Sequence, residues 1–253
     1  MVNDASLERL VAIARAAGAA AMAHYGAPGL VELKADRSPV TDADRAAHRV
    51  IVDALAAWAP EVPIVSEEGE IASWEVRRHW TRFWLVDPLD GTKEFLQHNG
   101  EFTVNIALID SAAPVLGVVY APAIDVLYAA GRGLGSWKRE GAADAVRLLG
   151  PGRPGPEGVV VVESRSHPSA ELEVFLATVR VARRLQSGSS LKFGLVAEGQ
   201  AHCYPRFGPT MEWDVAAGDC VWRYASPNGE RPSPLAYNTP ALRNSGFVIG
   251  ETA

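Results

Sequence analysis

The chain of 253 residues has only two cysteines, Cys203 and Cys220, far apart and without CxxC spacing. That rules out a disulfide framework and argues against a structural zinc site. Two buried thiols in a reducing compartment are the expected use. His24, His48, His79, His98 and His202 show no ligand spacing either. No uninterrupted apolar run is long enough to cross a bilayer, so no integral membrane segment is expected. Asp4, Glu8, Arg9 and Arg15 break up the N-terminal stretch, which lacks the basic start and apolar core of a secretory signal. A cytoplasmic protein is expected. Cations are also short: Lys plus Arg total 24 against 30 Asp plus Glu, a formal charge of −6. Neutralising a phosphate backbone needs the opposite balance, so no nucleic-acid polymer is expected as a partner.

What is present is an ordinary globular composition, 48% hydrophobic and 21% charged, enough for a substantial core. Leu7, Leu10, Val11 and Ala14 recur at helical spacing within residues 4–25. A second helix is expected from Asp42 to about Trp58, opened by a capping box of Thr41 and Asp44. Short β-rich runs follow at Val62–Val65 and Phe83–Val86. Phe102–Ile109, Val115–Tyr120 and Val126–Ala129 then read as consecutive strands, with turns at Ala113-Pro114 and Ala121-Pro122. The first half therefore predicts two helices on a largely antiparallel sheet. Gly150–Pro156 is the clearest linker. Beyond it Val159–Val162, Ser169–Val179, Ser190–Glu198, Ala201–Tyr204 and Asp214–Tyr224 alternate strand, helix, helix, strand and helix. The fold class is α/β (α+β), as two halves of one unit, 1–150 and 157–253.

The chemistry concentrates where an apolar strand runs into Asp87-Pro88-Leu89-Asp90-Gly91-Thr92. Proline ends the ladder and glycine permits close backbone approach to a ligand, placing Asp87, Asp90 and the Leu89 carbonyl on one side of a strand-end turn. Hard oxygens of this kind suit Mg²⁺. Glu67-Glu68 sits at another strand end, and Asp214 at a helix start. Taken singly, each has a plainer reading. Asp90-Gly91 is a common turn, Glu67-Glu68 a solvated loop, Asp214 an N-cap and Asp44 a capping-box residue. The unbroken run Asp87–Thr92 after an apolar strand shifts the balance toward a metal site.

Asp87–Thr92 and Trp213-Asp-Val-Ala-Ala-Gly218 resemble the two signatures of the inositol monophosphatase superfamily. The likeness is closest to its CysQ-type 3′(2′),5′-bisphosphate nucleotidase branch. It is carried by Ser38–Asp44, Ser66–Glu68, Trp84–Phe95, Asn99–Ile109, Ser164–His167, Gly188–Phe193 and Tyr204–Pro209. The resemblance implies a layered α-β-α-β-α sandwich and two or three Mg²⁺ per site. Glu67, rather than Glu68, would ligate metal and take part in catalysis, with Asp87, the Leu89 carbonyl, Asp90 and Asp214 completing the ligands. Asp44 and Thr92 would orient the attacking water. Leu89, Asp90, Gly91, Thr92 and Asp214 would also meet the substrate.

On the leaving-group side, His167, Ser189, Lys192 and Arg206 match by position the family residues that contact a nucleotide. Lys192 and Arg206 have the chemistry to pair with a second phosphate. The plainer reading of these four is solvated surface. The implied activity is removal of the 3′-phosphate of adenosine 3′,5′-bisphosphate by direct attack of water, without a phosphoenzyme, in a monomer or homodimer. The alternatives are an inositol or sugar-phosphate phosphatase, and a non-catalytic nucleotide sensor. For some relatives a place at the cytoplasmic face of the inner membrane is implied. One stretch departs from the family pattern of helix, Gly-Gly turn and strand: Pro227, Pro232 and Pro234 in 221–234 argue against that strand.

Overall fold

Asn3 opens the chain's first helix by accepting the Ser6 amide, and apolar positions on one face carry that helix onward. The computed structural model describes residues 2–26, 31–33, 39–166 and 169–252. In chain order the elements are α1 (Asp4–Met22), β1 (Val31–Leu33), β2 (Pro39–Thr41), α2 (Asp42–Trp58), β3 (Ile64–Ser66), α3 (Trp74–Arg77), β4 (Arg82–Asp90) and α4 (Thr92–Leu96). There follow β5 (Thr103–Asp110), β6 (Ala113–Ala121), β7 (Val126–Gly131), β8 (Gly135–Glu140), β9 (Val146–Leu148), β10 (Val159–Ser164), α5 (Ala170–Leu176), β11 (Val181–Ser187) and α6 (Leu191–Ala197). The chain closes with β12 (Cys203–Arg206), β13 (Thr210–Met211), α7 (Glu212–Tyr224), β14 (Arg243–Asn244) and β15 (Phe247–Gly250).

β3 to β9 form one sheet in sequence order, antiparallel throughout except for the β3–β4 pair. A smaller sheet has the order β11-β10-β12-β15, parallel but for β12–β15. Helices cover both faces of the large sheet. Leu10 and Ala17 of α1 and Ala47, Ile51 and Leu55 of α2 pack on Val86, Val104, Ile106 and Val118. On the other face Ala107 and Val119 meet Phe193 and Val196 of α6 and Ala217 and Cys220 of α7. That middle layer also takes Val162, Tyr204 and Phe247 from the small sheet, whose far face packs on Leu172 and Leu176 of α5. The result is a layered α-β-α-β-α sandwich. A sheet covered twice has no wet face, so β4, β5 and β6 are almost continuously buried. Each fully buried Leu or Ile contributes about 1.5–3 kcal/mol.

Two close approaches set the middle layer. A Cβ on Gly218 would lie 2.3 Å from the Phe193 ring, and one on Gly117 would lie 2.6 Å from Cys220 Cβ. Gly218 thus lets α7 lie close against α6, and Gly117 of β6 lets the same helix lie directly on the sheet that carries the acidic turn.

Several boundaries differ from the sequence reading. Ala113-Pro114 belongs to β6; the turn lies at Ser111 and Ala112, both at positive φ. Pro114 is tolerated in the ladder because the β5–β6 register shifts beside it. Residues 225–242 form no strand, as the prolines predict, yet α7 keeps 13 residues. Buried Glu212 accepts both the Asn238 and Thr239 amides, and Tyr237 donates to Asp219, which pins that segment in place. No helix of the described residues is long and apolar enough to cross a membrane.

Candidate active site

The acidic turn is built by a bulge. Asp87 pairs with Asn105 and Asp90 with Thr103, so Pro88 and Leu89 together oppose Val104 alone. The bulge takes Leu89 out of register and brings Asp87 and Asp90 to the same end of β4. Leu89's amide donates to Asp87 Oδ1 at 3.1 Å, closing the turn on itself. Gly91 then adopts φ 90°, ψ 48°, a left-handed conformation that L side chains rarely take, and α4 starts at Thr92.

Parallel pairing of β3 with β4 sets Glu67 beside this turn, its amide held by Val86 O. Asp214 enters from α7, where its Oδ2 accepts the Met211 amide at 2.9 Å. Carboxylate oxygens of Glu67, Asp87 and Asp214 lie within 4.8 Å of one another. Glu68 stays out of this cluster; its charge acts on Asp44 and His48. Burial, then repulsion from Glu67, Asp90 and Asp214, pushes the Asp87 carboxyl well above the usual range. Burial and repulsion from Asp90 and Glu67 do the same to Asp214. Crowded, desolvated carboxylates of this kind hold protons or a cation. An all-oxygen donor set without His or Cys fits a hard divalent ion.

Asp90 is held by Ser189, which the sequence reading assigned to the nucleotide side, and by Ser190 and Asn105, which it did not pick out. Its Oδ2 accepts from Ser189 Oγ at 2.6 Å, Ser190 Oγ at 3.2 Å and Asn105 Nδ2 at 3.3 Å. Thr103 touches both Asn105 and Ser189, and Ser190 also donates to Asp214 O at 2.6 Å. Among the described residues no donor takes Asp90 Oδ1. Thr103 and Asn105 did leave a signal: two polar residues on one face of an otherwise apolar strand, both buried.

Asp44 is buried, and its Oδ2 closes the capping box, accepting from the Thr41 amide at 2.7 Å and hydroxyl at 2.6 Å. Burial, with Glu68 and Glu67 nearby, raises its pKa to about 6 against the pull of those bonds. No hydrogen bond among the described residues joins Asp44 to Thr92.

One cavity of about 320 Å³ gathers Asp90, Gly91, Thr92 and Asp214 with Ser189, Lys192 and Arg206. Lys192 is buried beneath it. Its ammonium donates to the Ser189 and Ser187 carbonyls and lies over the Tyr204 ring, and burial lowers its pKa to about 8. Arg206 Nε is buried without a partner among the described residues, as expected of a group awaiting an acceptor. Ser189 faces Asp90 through its hydroxyl. His167 lies outside the described residues.

The inositol monophosphatase family model matches residues 3–226. The 3′(2′),5′-bisphosphate nucleotidase CysQ of Shigella flexneri is 54% identical over 249 residues, which covers 96% of this chain and 98% of that protein. The protein of the same name from Escherichia coli K12 matches to the same extent. The crystal structure of CysQ from Bacteroides thetaiotaomicron, described as a bacterial member of the inositol monophosphatase family, superposes with a TM-score of 0.81 at 39% identity. That match covers 98% of this chain and 97% of the other.

Proposed function

The chain belongs to the inositol monophosphatase family, and from that membership we propose that it is a 3′(2′),5′-bisphosphate nucleotidase, releasing AMP and phosphate from adenosine 3′,5′-bisphosphate. The observation that carries this reading is the single cavity joining Asp90 and Asp214 to Lys192 and Arg206. An inositol monophosphate offers no second phosphate for that basic pair to meet.

The enzyme is metal-dependent. We assign the metal as Mg²⁺, two or three ions per site, held by Glu67, Asp87, Asp90, Asp214 and the Leu89 carbonyl. When bound, Mg²⁺ lowers the pKa of the attacking water and neutralises charge on the phosphate and the leaving oxygen. The chain's own residues orient and exchange protons. Thr92 and Asp44 hold the water in line with the 3′-phosphorus. Asp44 Oδ1, opposite the oxygen used in the helix cap, receives its proton. The Gly91 and Thr92 amides meet the phosphate oxygens. Attack forms the new P–O bond as the bond to the ribose 3′-oxygen breaks; that oxygen takes a proton from solvent as AMP leaves, and Asp44 returns its proton to solvent. Arg206 grips the 5′-phosphate, Lys192 adds positive charge beneath it, and Ser189 and His167 complete the nucleotide contacts. In this reading residues 1–150 carry most of the metal ligands, and 157–253 carry Asp214 and the nucleotide side. A cytoplasmic location is supported by Cys203 and Cys220, both buried and unpaired.

Phosphate release from adenosine 3′,5′-bisphosphate and from inositol 1-phosphate, measured side by side with Mg²⁺ and again with Li⁺, tests the assignment. Preference for the bisphosphate, with inhibition by Li⁺, is expected. Preference for the inositol ester would overturn it.

A further inference from the structure

The turn 187–189, which delivers Ser189 to Asp90, is anchored from the opposite half of the molecule. Glu101 lies in the loop between α4 and β5. Its Oε2 accepts the Gly188 amide at 2.8 Å and Arg165 Nε at 2.8 Å, while its Oε1 accepts Arg165 Nη2 at 2.8 Å. Arg165 Nη2 also donates to Gln186 O at 3.1 Å, so the guanidinium ties the end of β11 to the same carboxylate. The residues against this turn leave little slack. A Cβ on Gly188 would stand 2.8 Å from Glu94 Cγ and 2.9 Å from Glu101 O. Ser189 is then held at φ 50°, a left-handed conformation unusual for serine. In that conformation its hydroxyl reaches Asp90 Oδ2 at 2.6 Å.

We propose that Glu101 is a positioning residue for the metal centre: by fixing Gly188 it sets Ser189 on Asp90 Oδ2 and so turns Asp90 Oδ1 toward the cation. The inference rests on the metal-dependent reading above. The Glu101–Arg165 pair is partly exposed, with side-chain exposures of 22% and 41%, so its contribution to global stability is small. Its effect is on geometry. Asp90 Oδ2 takes three donors, and the Ser189 bond is the shortest of them. Loss of partners that orient a metal ligand typically costs 10–100-fold in metal affinity.

The test is Mg²⁺ binding by calorimetry to the metal-stripped full chain, with thermal unfolding of the same samples. Glu101→Ala is expected to weaken Mg²⁺ binding about tenfold while the metal-free transition stays within a few degrees of wild type. Glu101→Gln keeps one acceptor for Gly188 and is expected to fall between the two. Arg165→Ala keeps the Gly188 bond and is expected to weaken binding by about threefold or less. A merely structural role would lower the metal-free transition and leave affinity unchanged. Equal Mg²⁺ affinity in wild type and Glu101→Ala would overturn the inference. If Glu101→Ala does not fold, unchanged affinity in Glu101→Gln overturns it instead. Absence of divalent binding to the wild-type chain would overturn the metal-dependent reading, and this inference with it.

Discussion

Replacing Asp87 with asparagine should stabilise the metal-free protein and abolish its response to metal. Asp87 is 1% exposed, and its carboxylate oxygen lies within 4.8 Å of those of Glu67 and Asp214. At an effective dielectric of about 20, two unit charges at that separation repel by about 3.5 kcal/mol. Protonation caps the real cost, because Asp87 takes up a proton before it suffers the full repulsion. Asparagine keeps the shape and an acceptor for the Leu89 amide while removing the charge. The expected gain without metal is therefore about 1–3 kcal/mol, or roughly 2–12 °C in the unfolding midpoint for a chain of this size. With metal the difference closes or reverses. Saturating Mg²⁺ at 100 times its dissociation constant adds about 2.7 kcal/mol to wild type and nothing to the variant. The pH dependence follows from the sign of the shift. A carboxyl whose folded pKa is raised favours folding fully below its unfolded value near 4. That contribution is lost as pH rises through the folded value. Metal-free wild type should thus lose stability from about pH 4 upward, through the Asp44 value of about 6, and Asp87→Asn should flatten the part due to Asp87. Scanning calorimetry of both proteins, with EDTA and with Mg²⁺, reads all of this. A variant less stable than wild type in EDTA, or still stabilised by Mg²⁺, would refute the reasoning.

Other substitutions probe separate parts of the site. Asp90→Asn should cut turnover by at least a hundredfold at saturating substrate, and unchanged activity would contradict its place among the metal ligands. Arg206→Ala should raise KM for the bisphosphate about tenfold or more, and KM for a sugar monophosphate far less; equal effects would remove it from the second-phosphate contact. Gly218→Ala pushes a Cβ into the Phe193 ring and should cost about 1–3 kcal/mol in urea denaturation, whereas an unchanged midpoint would mean that α7 can shift away without cost.

The acidic turn was legible because its chemistry is local. Asp87–Thr92 is contiguous, and its proline and glycine mark the bulge and the left-handed turn that the structure contains. The Thr41–Asp44 capping box and the α2 boundaries were legible for the same reason. Partnerships between distant segments were not. Nothing in Glu101 or Arg165 marks them as meeting, since a charged residue in a loop reads as solvated until the fold pairs it. Lys192 read as a partner for a second phosphate, with solvated surface as the plainer alternative; that its stem is buried and its ammonium serves two backbone carbonyls was not legible. β11 went unseen because it is an edge strand with Arg183 and Arg184 exposed, defined by its ladder to β10 rather than by apolar alternation.

The most direct measurement is nucleotide product analysis with the metal-stripped wild-type chain as Mg²⁺ is titrated back. Adenosine 3′,5′-bisphosphate should persist without the ion and convert saturably to AMP and phosphate as it is added. Release independent of Mg²⁺, or adenosine 3′-monophosphate as the product, would contradict the account.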